Sequence, residues 1–250
     1  MVIEYAAWTD RGTARPENQD RILANGIIAS AGGISGSAAD ALFAAVCDGI
    51  GSCSGGALAA QTASEVLALY ADTLASEISF RRALLCANDA IRSQQRKDPR
   101  HAAMSTTAAG LLIRGNTAFS FNVGDSRIYR YAGGRLELLS ADHTCAWDVY
   151  QAGRISGPRT VPDPHCHGVT RYLGGRDALC APTFRCRPVP EDGCLYLICS
   201  DGVWGRVSES ELSALLCRRV GLREKSRAVS ELALRSGSTD DRSIILVRCR

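Results

Sequence analysis

The sequence has no long hydrophobic run, no cationic run and no Cys-x-x-Cys pair. No apolar segment approaches the roughly 20 residues that a membrane-spanning helix needs, so we expect no membrane insertion. The net charge is only +3. Without a basic stripe interleaved with aromatic side chains, nucleic acid is not an expected partner. The N-terminus lacks the cationic and apolar regions of a signal peptide, so we expect a cytoplasmic protein.

Eleven cysteines are present, an odd number, and most of them lie inside apolar runs. A buried thiol behaves as a small hydrophobic side chain, and without an export signal we expect these thiols to be reduced. The triplet His165-Cys166-His167 could bind a metal, but the expected interpretation is a flexible loop. The sequence carries no oligomerisation signal, so a monomer is expected.

The order of the predicted elements indicates an α+β protein. Strands are expected over residues 2–8, 21–29 (a hairpin), 42–47, 105–113, 118–123, 126–132, 135–140, 183–189, 194–199 and 243–249, and helices over 59–74, 80–91, 208–219 and 223–236, with a short helix around Trp147. Because there is no regular βαβ alternation, we do not expect a parallel sheet. Several strands are apolar on both faces, which predicts a four-layer αββα sandwich of two antiparallel sheets flanked by helices.

Two segments are interpreted more specifically. Residues 30–41 are rich in Gly and Ser and are expected to form a surface loop. The four strands between residues 105 and 140 are expected to form one antiparallel meander. No repeat or linker divides the chain, so one domain over residues 1–250 is expected.

Acidic residues recur where the predicted strands begin or end. Asp48, Asp125 and Asp201 follow strands, whereas Asp20 and Asp241 precede them. In antiparallel sheets the end of one strand and the start of its neighbour share an edge, so these carboxylates can converge. Clustered carboxylates favour a cation, and Mg²⁺ or Mn²⁺ suits an all-oxygen site. The alternative, that Asp and Gly here are only turn residues, stays open.

Arg15 lies in the polar loop just before Asp20 and offers the bidentate fork that binds a phosphate dianion. Two divalent ions about 3.5–4 Å apart can activate a water molecule and polarise a phosphoryl group. Spacing alone does not distinguish two metals from one, or hydrolysis from binding.

These residues fall into motifs that resemble those of the PPM (PP2C) family of metal-dependent protein serine/threonine phosphatases, in its compact bacterial form. The matching residues are Asp10, Gly12, Arg15, Asn18, Gln19 and Asp20; Val46 to Gly51; Ser105-Thr106-Thr107; Gly124 to Arg127; Asp142-His143-Thr144; Ser200 to Trp204; and Asp241. The motifs follow the family's order along nearly the whole chain. The family fold, two antiparallel sheets flanked by helices, agrees with the strand pattern.

The resemblance implies a cofactor of two Mn²⁺ or Mg²⁺ ions, with a third held more loosely. Asp48 would bridge the two ions, and the carbonyl oxygen of Gly49 would bind one of them. Asp201 and Asp241 would bind the other ion. Asp125 matches the acid that supports the third ion in bacterial members.

The resemblance also implies the reaction. Arg15 would hold the substrate phosphate, and Asp20 would orient metal-bound water without touching the metal. A metal-activated hydroxide would attack phosphorus in phosphoserine or phosphothreonine, with no covalent enzyme intermediate. The expected partners are phosphoproteins, in signalling that opposes a bacterial Ser/Thr kinase and acts on its targets.

The sequence departs from the family pattern in three places. Cys53 replaces the usual histidine, so either a metal-bound water protonates the leaving group or turnover is slower. The last motif reads Asp241-Arg242 instead of Asp-Asn, and Asp240 could compete as the ligand. The segment 145–175 matches the mobile flap of bacterial members poorly, and Arg171 in it either contacts a phosphopeptide or stays solvated.

These departures leave two alternatives open. The chain could be a weakly catalytic or inactive phosphoprotein-binding module on the same fold, because both Cys53 and Arg242 depart from the catalytic pattern. It could also be a redox-regulated phosphatase, with Cys53 as a thiol switch near the metals.

Overall fold

The computed structural model describes residues 1–50, 55–156, 168–176 and 181–250. The strands are β1 (Ile3–Asp10), β2 (Asp20–Ala24), β3 (Ile27–Ala29), β4 (Gly32–Ala38), β5 (Ala41–Asp48), β6 (Ala108–Arg114), β7 (Thr117–Val123), β8 (Arg127–Ala132), β9 (Arg135–Leu138), β10 (Thr183–Pro188), β11 (Cys194–Cys199) and β12 (Arg242–Cys249). The helices are α1 (Gly56–Tyr70), α2 (Glu77–Lys97), α3 (Cys145–Gln151), α4 (Asp201–Trp204), α5 (Glu209–Leu216) and α6 (Leu222–Arg235). Cys53 and the triplet His165-Cys166-His167, for which the sequence suggested roles, lie outside the described residues. No helix within the described ranges combines the length and the hydropathy needed to cross a bilayer.

The strands form two six-stranded sheets. The first sheet has the order β4-β1-β12-β11-β8-β9, and the second has the order β10-β7-β6-β5-β2-β3. Every neighbouring pair is antiparallel. Helices cover the outer face of each sheet, which confirms the predicted four-layer α+β sandwich.

The alternation of side chains along β5 shows how the layers are held. Leu42, Ala44 and Val46 pack between the two sheets, in a cluster that also contains residues of β1, β6, β11 and β12. Phe43 and Cys47 point the other way and pack against α1 and α2. Successive side chains of a strand face opposite sides, so a strand between two apolar layers must be apolar at every position. A third cluster joins the first sheet to α5 and α6.

The prediction of a surface loop over residues 30–41 is wrong, because residues 32–38 form the edge strand β4. It pairs with β1, placing Gly33 opposite Trp8 and Gly36 opposite Tyr5. A Cβ on Gly33 would lie 2.5 Å from the Trp8 ring, and one on Gly36 would lie 2.8 Å from the Tyr5 hydroxyl. The glycines of this strand therefore leave room for aromatic side chains of the neighbouring strand.

The prediction of one four-stranded meander is also wrong. The β6–β7 hairpin belongs to the second sheet, whereas β8 and β9 belong to the first. The chain crosses between the sheets at Gly124-Asp125-Ser126. Gly124 has a φ of +108°, and a Cβ there would lie 2.5 Å from the Thr107 side chain. This crossing turns Asp125 towards the edge where the carboxylates were expected to meet.

A buried ion pair holds the chain just after the crossing. The Arg127 guanidinium donates to both carboxylate oxygens of Asp142, with Nε–Oδ1 at 2.9 Å and Nη2–Oδ2 at 2.6 Å. Its third nitrogen donates to the Tyr129 hydroxyl at 3.0 Å, and the guanidinium lies 3.8 Å from the centre of the Trp204 ring. Every part of this charge is thus in contact with a polar or aromatic partner.

Replacing Asp142 by asparagine is expected to lower the free energy of unfolding by about 3 kcal/mol, because it leaves the buried Arg127 charge uncompensated. The matched control is Glu137→Gln, which removes an ion pair to Arg130 whose Glu side chain is 47% exposed. That change should cost less than about 1 kcal/mol. Urea unfolding of both variants measures the difference, and equal losses would contradict the assigned role of the Arg127 pair.

The helix α2 begins and ends with recognisable sequence features. A capping box between Ser76 and Ser79 begins it, and Arg96 and Lys97 lie in its last turn, where cations complement the helix dipole. Its buried face includes Phe80 and Ile91, as the predicted periodicity required. The last two turns of the helix contribute Arg92, Gln95 and Arg96 to the lining of the cavity described next.

Candidate metal centre

One edge of the two sheets opens into a cavity of about 970 Å³. Carboxylates from four separate elements line it: Asp48 at the end of β5, Asp125 after β7, Asp201 at the start of α4 and Asp240 before β12. The structure therefore brings together Asp48, Asp125 and Asp201, which the strand pattern had placed at a common edge.

Asp48 is positioned by its backbone. Its carbonyl oxygen accepts hydrogen bonds from the Thr107 amide and from the Thr106 hydroxyl, both at 2.8 Å. The Thr107 hydroxyl oxygen accepts a hydrogen bond from the Asp48 amide at 3.3 Å. The two consecutive threonines thus fix the end of β5 from both sides, and the Asp48 side chain lines the cavity.

Gly49 allows a close approach that a larger residue would prevent. A Cβ at this position would lie 2.4 Å from the carbonyl oxygen of Gly56, at the start of α1. The Gly49 amide donates to the Gln19 carbonyl oxygen at 3.2 Å. In the described part of the chain no donor reaches the Gly49 carbonyl oxygen, and the residue lines the cavity. This oxygen remains available as a ligand.

The electrostatics of the cavity favour a cation. Burial, followed by the charges of neighbouring carboxylates, raises the pKa of Asp48 and of Asp125 well above the usual range. Burial and the nearby Asp240 raise the pKa of Asp201 to about 6. These carboxylates repel one another when ionised, and a divalent cation among them would remove that cost. The donor set, all oxygen, fits Mg²⁺ or Mn²⁺.

The geometry also limits how such ions can be held. Over the described residues, no three acidic, histidine or cysteine side chains enclose a single ion. Mg²⁺ characteristically keeps several water ligands and takes only one or two carboxylates from the protein. The arrangement of separated carboxylates around an open cavity fits that behaviour.

Asp20 lies behind the cavity and is not among its lining residues. It pairs directly with Asp48 across β2 and β5, and its Oδ2 accepts a hydrogen bond from the Ser200 hydroxyl at 2.9 Å. Burial raises its pKa to about 7, and the charge of Asp241 adds to this effect. Ser200 and Ser243, for which the sequence suggested no separate role, both form hydrogen bonds with this acid.

The structure does not place the Asp241 carboxylate in the cavity. Its two oxygens accept hydrogen bonds from the backbone amides of Gly12 and Gln19, each at 2.7 Å. Asp240 lines the cavity instead. The sequence predicts Asp241 as a ligand, but both of its carboxylate oxygens are taken up by backbone amides away from the cavity. Asp240, which the sequence offered only as a competitor, is the acid of the pair that the structure places at the cavity.

Arg242 is turned away from the carboxylates. It is 4% exposed, and its guanidinium lies 4.0 Å from the Asp10 carboxylate and 3.3 Å from the Ser230 hydroxyl. Its positive charge is therefore balanced on the α6 side of the first sheet. Although Arg242 directly follows the Asp240-Asp241 pair, its guanidinium therefore does not reach the cavity.

Arg15 lines the cavity. It lies on the loop between Gly12 and Gln19, whose two ends are held by the Asp241 carboxylate. Its Nε lies 3.6 Å from Oδ1 of Asp240, and its side chain is 27% exposed. Arg11 donates to the carbonyl oxygens of Arg15 and Pro16, at 2.9 and 3.1 Å, and so shapes the loop. A guanidinium at the rim of an acidic cavity is placed to bind a phosphate dianion.

Three arginines that the sequence did not mark as site residues also line the cavity. Arg92 and Arg96 come from α2, and Arg176 comes from the segment 168–176. The four-residue spacing of Arg92 and Arg96 was visible in the sequence, but nothing local indicated which side of α2 faces the site. Arg171 does not line the cavity; its charge lies near His143 and, after burial, helps to lower the pKa of that imidazole to about 4.

Comparisons with known proteins agree with this architecture. A sequence model described as protein phosphatase 2C matches residues 18–234. The serine/threonine protein phosphatase PstP of Mycobacterium tuberculosis is 30% identical over 98% of this chain, although the chain spans only 45% of that protein. The protein phosphatase PhpP of Streptococcus pneumoniae is 26% identical, over 98% of this chain and 97% of its own length.

The fold agrees with solved structures as well. The catalytic domain of PstP in complex with two manganese ions superposes with a TM-score of 0.81 at 28% identity, covering 98% of this chain and 97% of that one. The match of the family sequence model, the 30% identity to PstP and the shared αββα sandwich lead to one conclusion. The chain belongs to the protein phosphatase 2C family.

Proposed function

We propose that this chain is a metal-dependent protein serine/threonine phosphatase that hydrolyses phosphoserine and phosphothreonine in proteins. The observation that carries the proposal is the convergence of Asp48, Asp125, Asp201 and Asp240 on one cavity, with Arg15 at its rim. The names of PstP and PhpP, both protein phosphatases, support the reaction. The PstP structure that holds two manganese ions supports the metal.

The proposed cofactor is a pair of Mn²⁺ or Mg²⁺ ions, which when bound supply an activated water and a polarised phosphoryl oxygen. We assign Asp48, the Gly49 carbonyl oxygen, Asp201 and Asp240 as the groups that would hold the two ions. Asp125 stands apart on the crossing between the sheets and is assigned to a third, weaker ion.

The remaining residues bind substrate and orient water. Arg15 exchanges its contact with Asp240 for the substrate phosphate, whose dianion offers two oxygens to its fork. Asp20 lies next to Asp48 on the neighbouring strand, with Ser200 fixing its carboxylate. From there it orients the attacking water, and Asp241 keeps the Arg15 loop closed.

We propose that the enzyme acts in the cytoplasm as a monomer, in signalling that opposes a Ser/Thr kinase. Phosphoproteins modified by that kinase, and the kinase itself, are the proposed partners. The support is indirect: the matched relatives are bacterial proteins named as serine/threonine phosphatases.

The test is hydrolysis of a phosphothreonine peptide and of a small aryl phosphate by the Mn²⁺-loaded protein. We expect phosphate release from both that stops on addition of EDTA and returns with excess Mn²⁺. Calorimetric titration with Mn²⁺ supplies a second readout that does not depend on turnover. Folded protein that binds Mn²⁺ but releases no phosphate would favour the alternative of a phosphoprotein-binding module, and protein that binds no Mn²⁺ would exclude the metal site.

A further inference from the structure

The cavity is larger than the metal site needs and has two ends of opposite charge. The carboxylates of Asp48, Asp125, Asp201 and Asp240 occupy one part of its lining. Arg92, Arg96 and Arg176 occupy another, and we call these three the basic wall. At about 970 Å³ the cavity is at the upper end of the range for ligand pockets, so it has room for more than one phosphorylated side chain.

The basic wall is held firmly in place by polar contacts between α2 and the segment 168–176. Gln95 donates through Nε2 to the carbonyl oxygens of Met104 and Gly174, at 2.8 and 2.9 Å. The Gly174 amide donates to Oδ1 of Asn88 at 2.8 Å. Asn88 and Gln95 lie on the same side of α2 as Arg92, at spacings of four and three residues.

The distance from the wall to the metal site follows from strand pairing. Thr106 bridges to Gly49 on one side and to Leu173 on the other, so segment 168–176 lies two strand spacings from Gly49. Two spacings are about 10 Å, the length of about three residues of extended chain. A peptide that extends from the metal site towards segment 168–176 would therefore reach the basic wall about three residues from its phosphorylated residue.

The charges of Arg96 and Arg176 are available to a ligand. Neither Arg96 nor Arg176 forms an ion pair with a carboxylate of the described residues, and both are exposed. The acids that line the cavity lie at the metal site. Guanidinium groups bind carboxylates and phosphates in the same bidentate manner, so the wall suits an anion of either kind.

We propose that the basic wall binds a second anionic group of the substrate polypeptide, two to four residues from the phosphorylated residue. This inference rests on the proposed phosphatase function and narrows its substrate class to acidic or multiply phosphorylated segments. The second group is a carboxylate of Asp or Glu or the phosphate of another phosphorylated residue. Arg96 and Arg176 are the specificity-determining residues in this assignment and do not touch the reacting phosphate.

The experiment compares kcat/KM for three phosphothreonine peptides with Mn²⁺-loaded protein. One peptide carries glutamates two to four residues from the phosphothreonine, one carries glutamines there, and one carries a single phosphoserine there. We expect the wild type to favour an anionic peptide over the glutamine peptide about tenfold, and added salt to reduce this ratio. The anionic peptide with the higher kcat/KM, glutamate or phosphoserine, identifies the group that the wall binds.

Two double variants each remove two positive charges, one pair from the cavity lining and one pair from elsewhere on the surface. Arg96→Gln with Arg176→Gln should bring the ratio of anionic to neutral peptide close to one. Arg135→Gln with Arg219→Gln removes two exposed arginines outside the cavity and should keep the ratio. An equal fall in both double variants would assign the preference to net charge and overturn the basic wall, as would a wild-type ratio of one.

The small aryl phosphate separates this inference from the function on which it rests. It has no flanking residues, so its hydrolysis depends on the metal site alone. Wild-type protein that hydrolyses it but does not distinguish the peptides would overturn the basic wall and leave the phosphatase standing. Wild-type protein that hydrolyses neither the aryl phosphate nor any peptide would overturn both.

Discussion

Asp48→Asn should lower kcat for a phosphothreonine peptide by at least about 1,000-fold, which corresponds to about 4 kcal/mol of lost transition-state stabilisation. The reason is that Asp48 is assigned as a ligand of the metal pair and is buried among the other cavity carboxylates. An amide has the same shape but no charge, so the protein would hold the ions more weakly. Rates at saturating Mn²⁺ measure the loss in kcat, and calorimetry measures the loss in affinity.

The same substitution is expected to raise the stability of the metal-free protein. Burial and the charges of its neighbours raise the pKa of Asp48, which means that the ionised carboxylate is unfavourable in the folded state without metal. A neutral amide removes that repulsion. Thermal melting in EDTA should therefore show a higher Tm for Asp48→Asn than for the wild type, while added Mn²⁺ should stabilise only the wild type.

Asp192→Asn is the control for Asp48→Asn, because Asp192 is exposed in the turn before β11 and outside the metal site. It should change neither the rate nor the response of the Tm to Mn²⁺. If Asp48→Asn keeps wild-type turnover, or gains as much stability from Mn²⁺ as the wild type does, the assigned metal centre is wrong.

Asp240→Asn and Asp241→Asn are expected to have opposite effects, although the two residues are adjacent. Asp240→Asn should weaken Mn²⁺ binding and lower kcat by about 100-fold or more, with little change in unfolding free energy. Asp241→Asn should keep Mn²⁺ binding but lower the free energy of unfolding by about 1–2 kcal/mol. An asparagine has only one acceptor oxygen, so either Gly12 or Gln19 loses its partner.

Calorimetry with Mn²⁺ and urea unfolding, applied to both variants, decide this assignment. If Asp241→Asn abolishes metal binding while Asp240→Asn leaves it intact, Asp241 is the ligand and the placement of the pair is wrong. Each variant is the control for the other, because both remove one negative charge at almost the same point in the chain.

The placement of Arg242 changes how the departures from the family pattern are interpreted. Its guanidinium lies among Asp10, Ser230 and backbone carbonyl oxygens, away from the cavity. It therefore no longer argues for a catalytically inactive binding module. Cys53 lies outside the described residues, so its effect on proton transfer and its possible role as a thiol switch stay predictions.

Local patterns were sufficient for much of the fold and for most of the candidate site. The strands β5, β11 and β12 are apolar at successive positions because they lie between two apolar layers, and the predicted sandwich followed from that fact. The carboxylates of Asp48, Asp125 and Asp201 were placed at a common edge because each lies next to a strand end. Both inferences depend only on residues that are neighbours in the chain.

Contacts between distant residues account for what the patterns missed. The strand β4 exists because Trp8 and Tyr5 of β1 cover its glycines, and Gly and Ser alone have low strand propensity. Asp240 rather than Asp241 lines the cavity, because the Asp241 carboxylate binds the amides of Gly12 and Gln19, more than 220 residues earlier in the chain.

The basic wall shows the same division most clearly. The arginines of α2 are visible in the sequence. The side of the helix that faces the cavity is selected by two hydrogen bonds with Gly174, whose amide donates to Asn88 and whose carbonyl oxygen accepts from Gln95. Amino-acid order by itself determined which chemical groups the protein has and which of them end strands. Docking of α2 and the register of β12 determined which of those groups face the same cavity, because side-chain direction is decided by packing against distant partners.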